Sequence, residues 1–472
     1  MSRARATLMT CIQAIAVGMF GGLSVTSAQP ATPIGAELQV NLQTFSPQNQ
    51  PSVAINDSGG FVVVWHSFAQ DQNGGGVFGR RIAGSGAPQG GEFQVNSYTL
   101  AAQIEPAVAM NGSGAFVVAW TSRYQDGSLY GVFARRFDSS GTPLGSGLQV
   151  NSYATANQRY PVVGTAGNGG FVVVWQSFDQ DAGGNGVFAR RFDAAGAAQG
   201  AEFQVANSTF QDQRFPAIAM APSGDFVVAW SWYTGDTSTD SVFARRFDAS
   251  ADPQGEEFQV NTYTTGTQGR PAAAINATGD FVVAWQSIGQ DGSGYGIFGQ
   301  RFDGSGARVG NELHISSYTP GHQRFPTVAS DGDRNFVVSW ESAAQDGESY
   351  GVFARLFDSS GAAQAGEFRV NSFTDNAQYD AVAAMSPDGA FVVAWSSYFQ
   401  DGDFGGVFVQ RLAPLAVLDI DGNGAIAPLS DGLLVLRFMF GFSGTTLVSG
   451  AVGAGCTRCT APAIESYLGS LT

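Results

Sequence analysis

Phe-Val-Val-x-Trp recurs seven times in this chain, beginning at Phe61, Phe116, Phe171, Phe226, Phe281, Phe336 and Phe391, each copy 55 residues after the one before. Seven copies without an insertion or deletion require one backbone path in every unit, since a change of length would alter a turn. Seven of the eight tryptophans lie in the motif, at Trp65, Trp120, Trp175, Trp230, Trp285, Trp340 and Trp395.

Four strand-like segments make up each unit. In the second they are Pro106 to Met110, Phe116 to Trp120, Gly131 to Phe137 and Leu148 to Asn151, separated by Gly, Asn, Asp and Ser. Short β-rich runs between turn residues, with no helical periodicity, describe a four-stranded antiparallel meander. One such sheet cannot bury both faces, so the seven must pack on one another. The expected fold is all-β: a seven-bladed β-propeller of 55-residue, four-stranded blades, with a small helical module after it. Blades converge on the axis, so the Pro-led segment rich in Ala, Val, Ser and Gly is expected as inner strand A, followed outward by B (Phe-Val-Val-x-Trp), C (Gly-Val-Phe) and D (Gln-Val-Asn). A lone D-like copy, Leu38 to Asn41, precedes the first A segment, and none follows Leu412. The N-terminal strand is therefore expected to complete the seventh blade and remove an exposed edge.

With this order the D-to-A and B-to-C loops share a face. The first carries Gln48, Gln103, Gln158, Gln213, Gln268, Gln323 and Gln378; the second carries Asp71, Asp126, Asp181, Asp236, Asp291, Asp346 and Asp401. Two readings stand side by side. The Asp residues form turns through side-chain to backbone hydrogen bonds and the Gln residues tie loops together, or the Asp ring is a set of ligand sites. One carboxylate per loop falls well short of the roughly six to eight oxygens of a calcium site. The fourth unit departs most, with Trp230-Ser-Trp232-Tyr233; Trp232 and Tyr233 join the seven Asp residues as candidate ligand contacts, because loop aromatics suit stacking on sugars.

All 23 basic residues are arginine, and 39 carboxylates leave a formal charge of −16, which repels polyanions and excludes nucleic acid as a partner. Arg3 and Arg5, the apolar run Leu8 to Phe20 and the small residues Thr26-Ser27-Ala28 read as an export signal cleaved after Ala28. No later segment has the ~18 apolar residues of a transmembrane helix. The mature chain is expected to be secreted, at the cell surface or periplasmic.

The unit resembles the Gln-Asp-Gly and Val-Phe-Ala-Arg-Arg-Phe-Asp repeats of large secreted bacterial proteins, and more loosely NHL-type propellers, over residues 36 to 412. That resemblance implies architecture and says almost nothing of activity. After Pro414 the period stops. Asp419, Asp421 and Asn423 then occupy positions 1, 3 and 5 of an EF-hand-like loop, Gly424 the turn and Ala425 the carbonyl position. With the Leu-rich segment 431 to 440 this resembles a dockerin module, which implies Ca²⁺ and a cohesin-like or cell-surface partner. It departs from the pattern at position 12, which is Ser430 with Asp431 one residue late, and in lacking a second Asp loop. Cys456 and Cys459 stand there instead, expected as a local disulfide.

The expected organisation is thus a signal in 1–28, a propeller in 29–414 and a calcium-binding module in 415–472. The breaks in the repeat carry few reactive groups: His66 and Glu341 after motif tryptophans, and His314 and His322 near a D strand. No spacing among them suggests a triad or metal set. The expectation is a binding or scaffold protein that engages a glycan or protein, and not an enzyme. The alternative is a polysaccharide-active enzyme, a glycoside hydrolase or lyase, recognisable by carboxylates from different blades about 5 to 10 Å apart in a concave mouth.

Overall fold

The computed structural model describes residues 31–233, 240–414, 420, 430–453 and 456–470. The expected signal, Asp236 and the loop residues Asp419, Asp421, Asn423 and Ala425 lie outside the described residues.

Glu37–Arg411 forms one compact unit, built of seven antiparallel sheets with strand order A-B-C-D, a seven-bladed propeller. In the second blade the strands are Gln103–Met110, Phe116–Arg123, Tyr130–Phe137 and Leu148–Gln149. Strand A is innermost, as its small side chains require. Neighbouring A strands touch, with Ser52 Oγ accepting the Val108 N–H at 3.1 Å and Ser330 Oγ donating to the Ile275 carbonyl at 3.3 Å. Strand B is buried on both faces, and every motif tryptophan is at most 1% exposed. The core therefore lies in layers between blades; Trp65 and Phe61 of the first blade share a cluster with Val392 and Val407 of the last.

The paired arginines of strand C explain the all-arginine composition. The first reaches back to the preceding blade, as Arg135 Nη1 does to the Val95 carbonyl at 2.9 Å. The second reaches forward, as Arg301 Nη1 does to the Ser359 carbonyl at 2.8 Å. Where Gln300 replaces the first arginine, Arg308 supplies the missing guanidinium and donates to the Val260 carbonyl at 2.8 Å. A planar fork of five donors suits such carbonyl clamps, and an ammonium does not present one.

Leu38–Gln39 pairs with Val409 and Phe408 of the last C strand, in the D position of the seventh blade. Asn41 Oδ1 accepts the Val407 N–H at 2.8 Å, as Asn151 Oδ1 accepts that of Val132 within the second blade.

In the other unit, Ala31–Pro33 pairs with Leu412 to Pro414. Pro33 stands one period before Pro88, which bridges Ile82 in the same way, so the repeat begins several residues ahead of Leu38. Three helices follow: α1 (Asp431–Met439), α2 (Thr445–Val448) and α3 (Ala461–Ser470). They enclose a small core of Ile420, Leu434, Val435, Leu447, Ile464 and Leu468. Cys456 and Cys459 are joined by a disulfide. Among the described residues no helix is long and apolar enough to cross a membrane.

Candidate functional site at the propeller axis

Each unit reads Gln-x-x-Pro at the start of strand A, with Ala381 in place of Pro in the seventh, and the two intervening residues are the least regular of the repeat. The structure bulges there in every blade, as between Ile104 and Ala107. The residue before the Pro position adopts a left-handed backbone seven times: Gln50, Glu105, Tyr160, Phe215, Arg270, Phe325 and Asp380 have φ of 51° to 56°. None is glycine, so each position costs roughly 1–3 kcal/mol, and strain of this kind collects where function demands a side-chain direction.

The bulge turns each of these N–H groups toward the preceding blade, where a side chain accepts it. Asp380 Oδ2 accepts from Gln50 at 3.2 Å, Gln50 Oε1 from Glu105 at 3.2 Å and Glu105 Oε2 from Tyr160 at 3.0 Å. In the other blades the acceptor is the residue after the motif tryptophan. Gln176 Oε1 bonds Phe215 at 3.4 Å, Ser231 Oγ bonds Arg270 at 3.0 Å, Gln286 Oε1 bonds Phe325 at 3.0 Å and Glu341 Oε1 bonds Asp380 at 2.7 Å. The seven residues thus form a belt around the axis, each tied to its neighbour.

This belt and the residues beside it carry an unusual charge set. Glu105 is ion-paired with Arg159, and Thr121 Oγ1 donates to it at 2.8 Å. Glu341 accepts from Arg324 Nε at 3.0 Å; burial pushes its carboxyl up to about 7, against the Asp380 N–H and the Arg324 charge. Burial also raises Asp380, opposed by the Gln50 N–H and by Arg324 and Arg270. Asp380 Oδ1 has no hydrogen-bond partner among the described residues. Arg270 spreads over the Phe215 ring, 3.4 Å from its centre, with Phe325 at 5.2 Å. On the first blade, desolvation lowers His66 to about 4, and its Nδ1 is 3.1 Å from Asn49 Oδ1.

The Asp residues named from the sequence are not brought together. Among the described residues, Oδ1 of Asp71, Asp126, Asp181, Asp291 and Asp401 caps its own loop, as Asp126 does for the Ser128 N–H at 3.1 Å and Asp291 for that of Ser293 at 3.0 Å. Asp181 and Asp401 also accept from Gln204 and Asn41 at the D strand, at 2.8 and 3.1 Å. The glycine of Gly-Val-Phe follows from this: a Cβ on Gly76 would meet Asp71 Oδ2 at 2.7 Å. Asp346 holds Asn371 Nδ2 at 3.4 Å in the same manner. The recurring Gln ties its own D-to-A loop, with Gln158 Nε2 donating to the Thr155 carbonyl at 2.7 Å. Trp232 packs edge-on against Phe243 at 4.7 Å and donates to the Phe210 carbonyl, and Tyr233 lies beneath Arg214. Sequence reasoning missed Glu105, Arg270 and Asp380; the signal was the irregularity of the two residues between Gln and Pro.

No family model matches this chain, and no curated protein matches it. Among solved structures it is similar to a protein of unknown function from Dyadobacter fermentans, at 10% identity and a TM-score of 0.52, over 82% of this chain and 99% of that one. It is similar also to an α-L-arabinanase from Penicillium chrysogenum (15% identity, TM-score 0.44, 69% and 99% covered) and to an α-L-arabinofuranosidase from Fusarium graminearum (10%, 0.44, 82% and 99%). These likenesses concern the fold.

The expectation that the chain is not an enzyme is corrected here. It rested on the scarcity of reactive groups at breaks in the repeat. Glu105, Glu341 and Asp380 come from three blades onto the axial belt and its ties, so the premise that reactive groups are scarce does not hold.

Proposed function

We propose that the chain cleaves a carbohydrate at the axial mouth, as a glycoside hydrolase or lyase. The observation that carries this reading is Asp380, a carboxyl whose Oδ2 accepts the Gln50 N–H while its other oxygen is unengaged among the described residues, on a strained belt to which all seven blades contribute; burial shifts its titration upward. In its protonated form a carboxyl placed in this way can give its proton to the leaving glycosidic oxygen as the C–O bond breaks, while water adds at the anomeric carbon in hydrolysis or a base takes a proton from the adjacent carbon in elimination. Glu105 and Glu341 come from the second and sixth blades, with Glu341 positioning Asp380 through its N–H. Release of reducing ends or unsaturated products from a polysaccharide panel tests it. Asp380→Asn should lose at least a hundredfold in rate with an unchanged melting temperature, and a wild-type chain inert on the whole panel would sink the reading.

Calcium belongs to the proposal for residues 415–472. Asp431 is buried, and its Oδ1 accepts the Ile420 N–H at 2.7 Å, which sets the late carboxylate against the start of the loop that would hold the ion. Asp419, Asp421, Asn423 and the Ala425 carbonyl would complete a hard oxygen set, and a cohesin-like or cell-surface partner would then dock on this module. Calorimetric titration of the full chain should give calcium-dependent heat that Asp419→Ala with Asp421→Ala removes.

A further inference from the structure

Four of the 23 arginines of this acidic chain surround the axis: Arg159, Arg214, Arg270 and Arg324. Three are ion-paired, with Glu105, Asp240 and Glu341. Arg270 is not. Among the described residues no carboxylate lies within ion-pair distance of its guanidinium and no hydrogen bond to it is made; its contacts are the faces of Phe215 and Phe325. Burial lowers its pKa, and the charge of Arg214 adds to this, while Tyr160 and Asp380, two blades away on either side, oppose it. A guanidinium that lies over belt rings of both neighbouring blades reaches in toward the axis.

Aromatic faces cover the flat sides of a guanidinium and leave its edge, with up to five N–H donors, pointing outward in a rigid fork. That edge fits a planar or tetrahedral anion bidentately. The balance of the cavity agrees. Four guanidiniums are matched by four carboxyls, Glu105, Asp240, Glu341 and Asp380, and burial shifts three of these, Asp240, Glu341 and Asp380, upward, so the axis is short of negative charge inside a protein of net charge −16.

We infer that the axial site takes an anionic saccharide, a sugar bearing a carboxylate or a sulfate ester, and that Arg270 grips the anionic group while Phe215 and Phe325 hold its guanidinium edge outward. This rests on the carbohydrate reading above and narrows it to a substrate class. It also makes Arg270 the specificity-determining residue, distinct from Asp380 as the proton donor.

The test uses the full chain and oligosaccharides of pectate and alginate, each beside its methyl-esterified form, and of κ-carrageenan beside its desulfated form, with both binding and product release measured. Charged forms should bind at least tenfold more tightly than their neutral counterparts. Arg270→Met should abolish that preference, Arg270→Lys should keep only part of it, and the exposed Arg369→Met should leave it intact. A carboxylate preference over sulfate, or the reverse, identifies the anion. Equal affinity for charged and neutral forms, binding of neither, or an undiminished preference in a folded Arg270→Met chain overturns the inference. If Arg270→Met does not fold, the Lys variant decides, because it keeps the charge and loses the fork. Charge-selective binding without turnover would refute catalysis and leave this inference standing; turnover indifferent to charge would do the opposite.

Discussion

Glu341 Oε1 accepts the Asp380 N–H at 2.7 Å, so the sixth blade holds the backbone of the seventh at the residue that carries the proposed proton. The same contact is made by Gln176 to Phe215 and Gln286 to Phe325 with uncharged amides. Charge at this position is therefore not needed for the tie between blades. It is an addition peculiar to the sixth.

Glu341→Gln should keep the tie and remove the titration. Its folded carboxyl sits at about 7 against an ordinary 4.5. A raised folded value means that stability is fully present below 4.5 and is lost as pH rises through 7. At ~1.4 kcal/mol per unit, the loss is on the order of a few kcal/mol. Melting temperatures of the Gln variant should fall less than those of wild type between pH 4.5 and 8. Glu341→Ala, which leaves the Asp380 N–H without its acceptor, should be less stable than Glu341→Gln by about 1–3 kcal/mol at every pH.

His66 works with the opposite sign. Desolvation holds its folded value at about 4 against 6.5, so its contribution is present above 6.5, is lost as pH falls toward 4, and is level below that. Where the windows overlap, between 4.5 and 6.5, the two groups offset each other and wild type should look flatter than either variant. His66→Gln, with the amide already used at Gln176 and Gln286, should raise the melting temperature at pH 4.5 and leave it nearly unchanged at pH 8. Equal shifts at both pH values would contradict the assignment.

The tryptophans should be interchangeable in what they contribute. Among the described residues none of the seven indole N–H groups has a protein hydrogen-bond partner, so packing is the whole of their role. Trp175→Ala and Trp285→Ala should each cost ~3–5 kcal/mol by chemical denaturation. A difference of more than about 2 kcal/mol between them would show that the blades are not equivalent.

Ring closure should depend on the N-terminal strand. Asn41 donates to Gln48 Oε1 and Asp401 Oδ2, each at 3.1 Å, and accepts from Val407, which joins the first and last blades. Asn41→Ala should cost about as much as Asn151→Ala, roughly 1–3 kcal/mol, because the local network is the same. Deleting residues 29 to 45 removes the strand itself and should lower the melting temperature far more. A deletion variant as stable as wild type would refute closure by this strand.

Blade number, strand order and the closing strand were legible because they depend on what repeats: the tryptophan spacing, the size gradient from Ala and Val to Phe and Trp, and the unpaired Leu38 to Asn41. The axial belt was not, for two physical reasons. The left-handed turn at Gln50, Glu105 and their equivalents carries no glycine to announce it. Moreover, a pattern search selects residues that agree among units, and so it drew attention to Asp71 and its equivalents, which serve their own loops, and away from Glu105, Arg270 and Asp380, which differ because each does a separate task. Glu341 was noticed as a break, but its contact with the next blade could be seen only once strand A was placed beside its neighbour.

The seventh blade joins Gln39 to Phe408, so a strand synthesised before the first blade waits for its partner until the last blade exists. Once the final C strand exists and until the ring closes, the chain presents two unpaired β edges of matching register, one at each end of an open arc. Bringing ends so distant in sequence together is entropically slow, and during that wait a second chain can offer the same edge at higher local concentration. Crowded production should therefore yield strand-exchanged dimers, in which each ring is completed by the neighbour's N-terminus, and dilution before folding should suppress them.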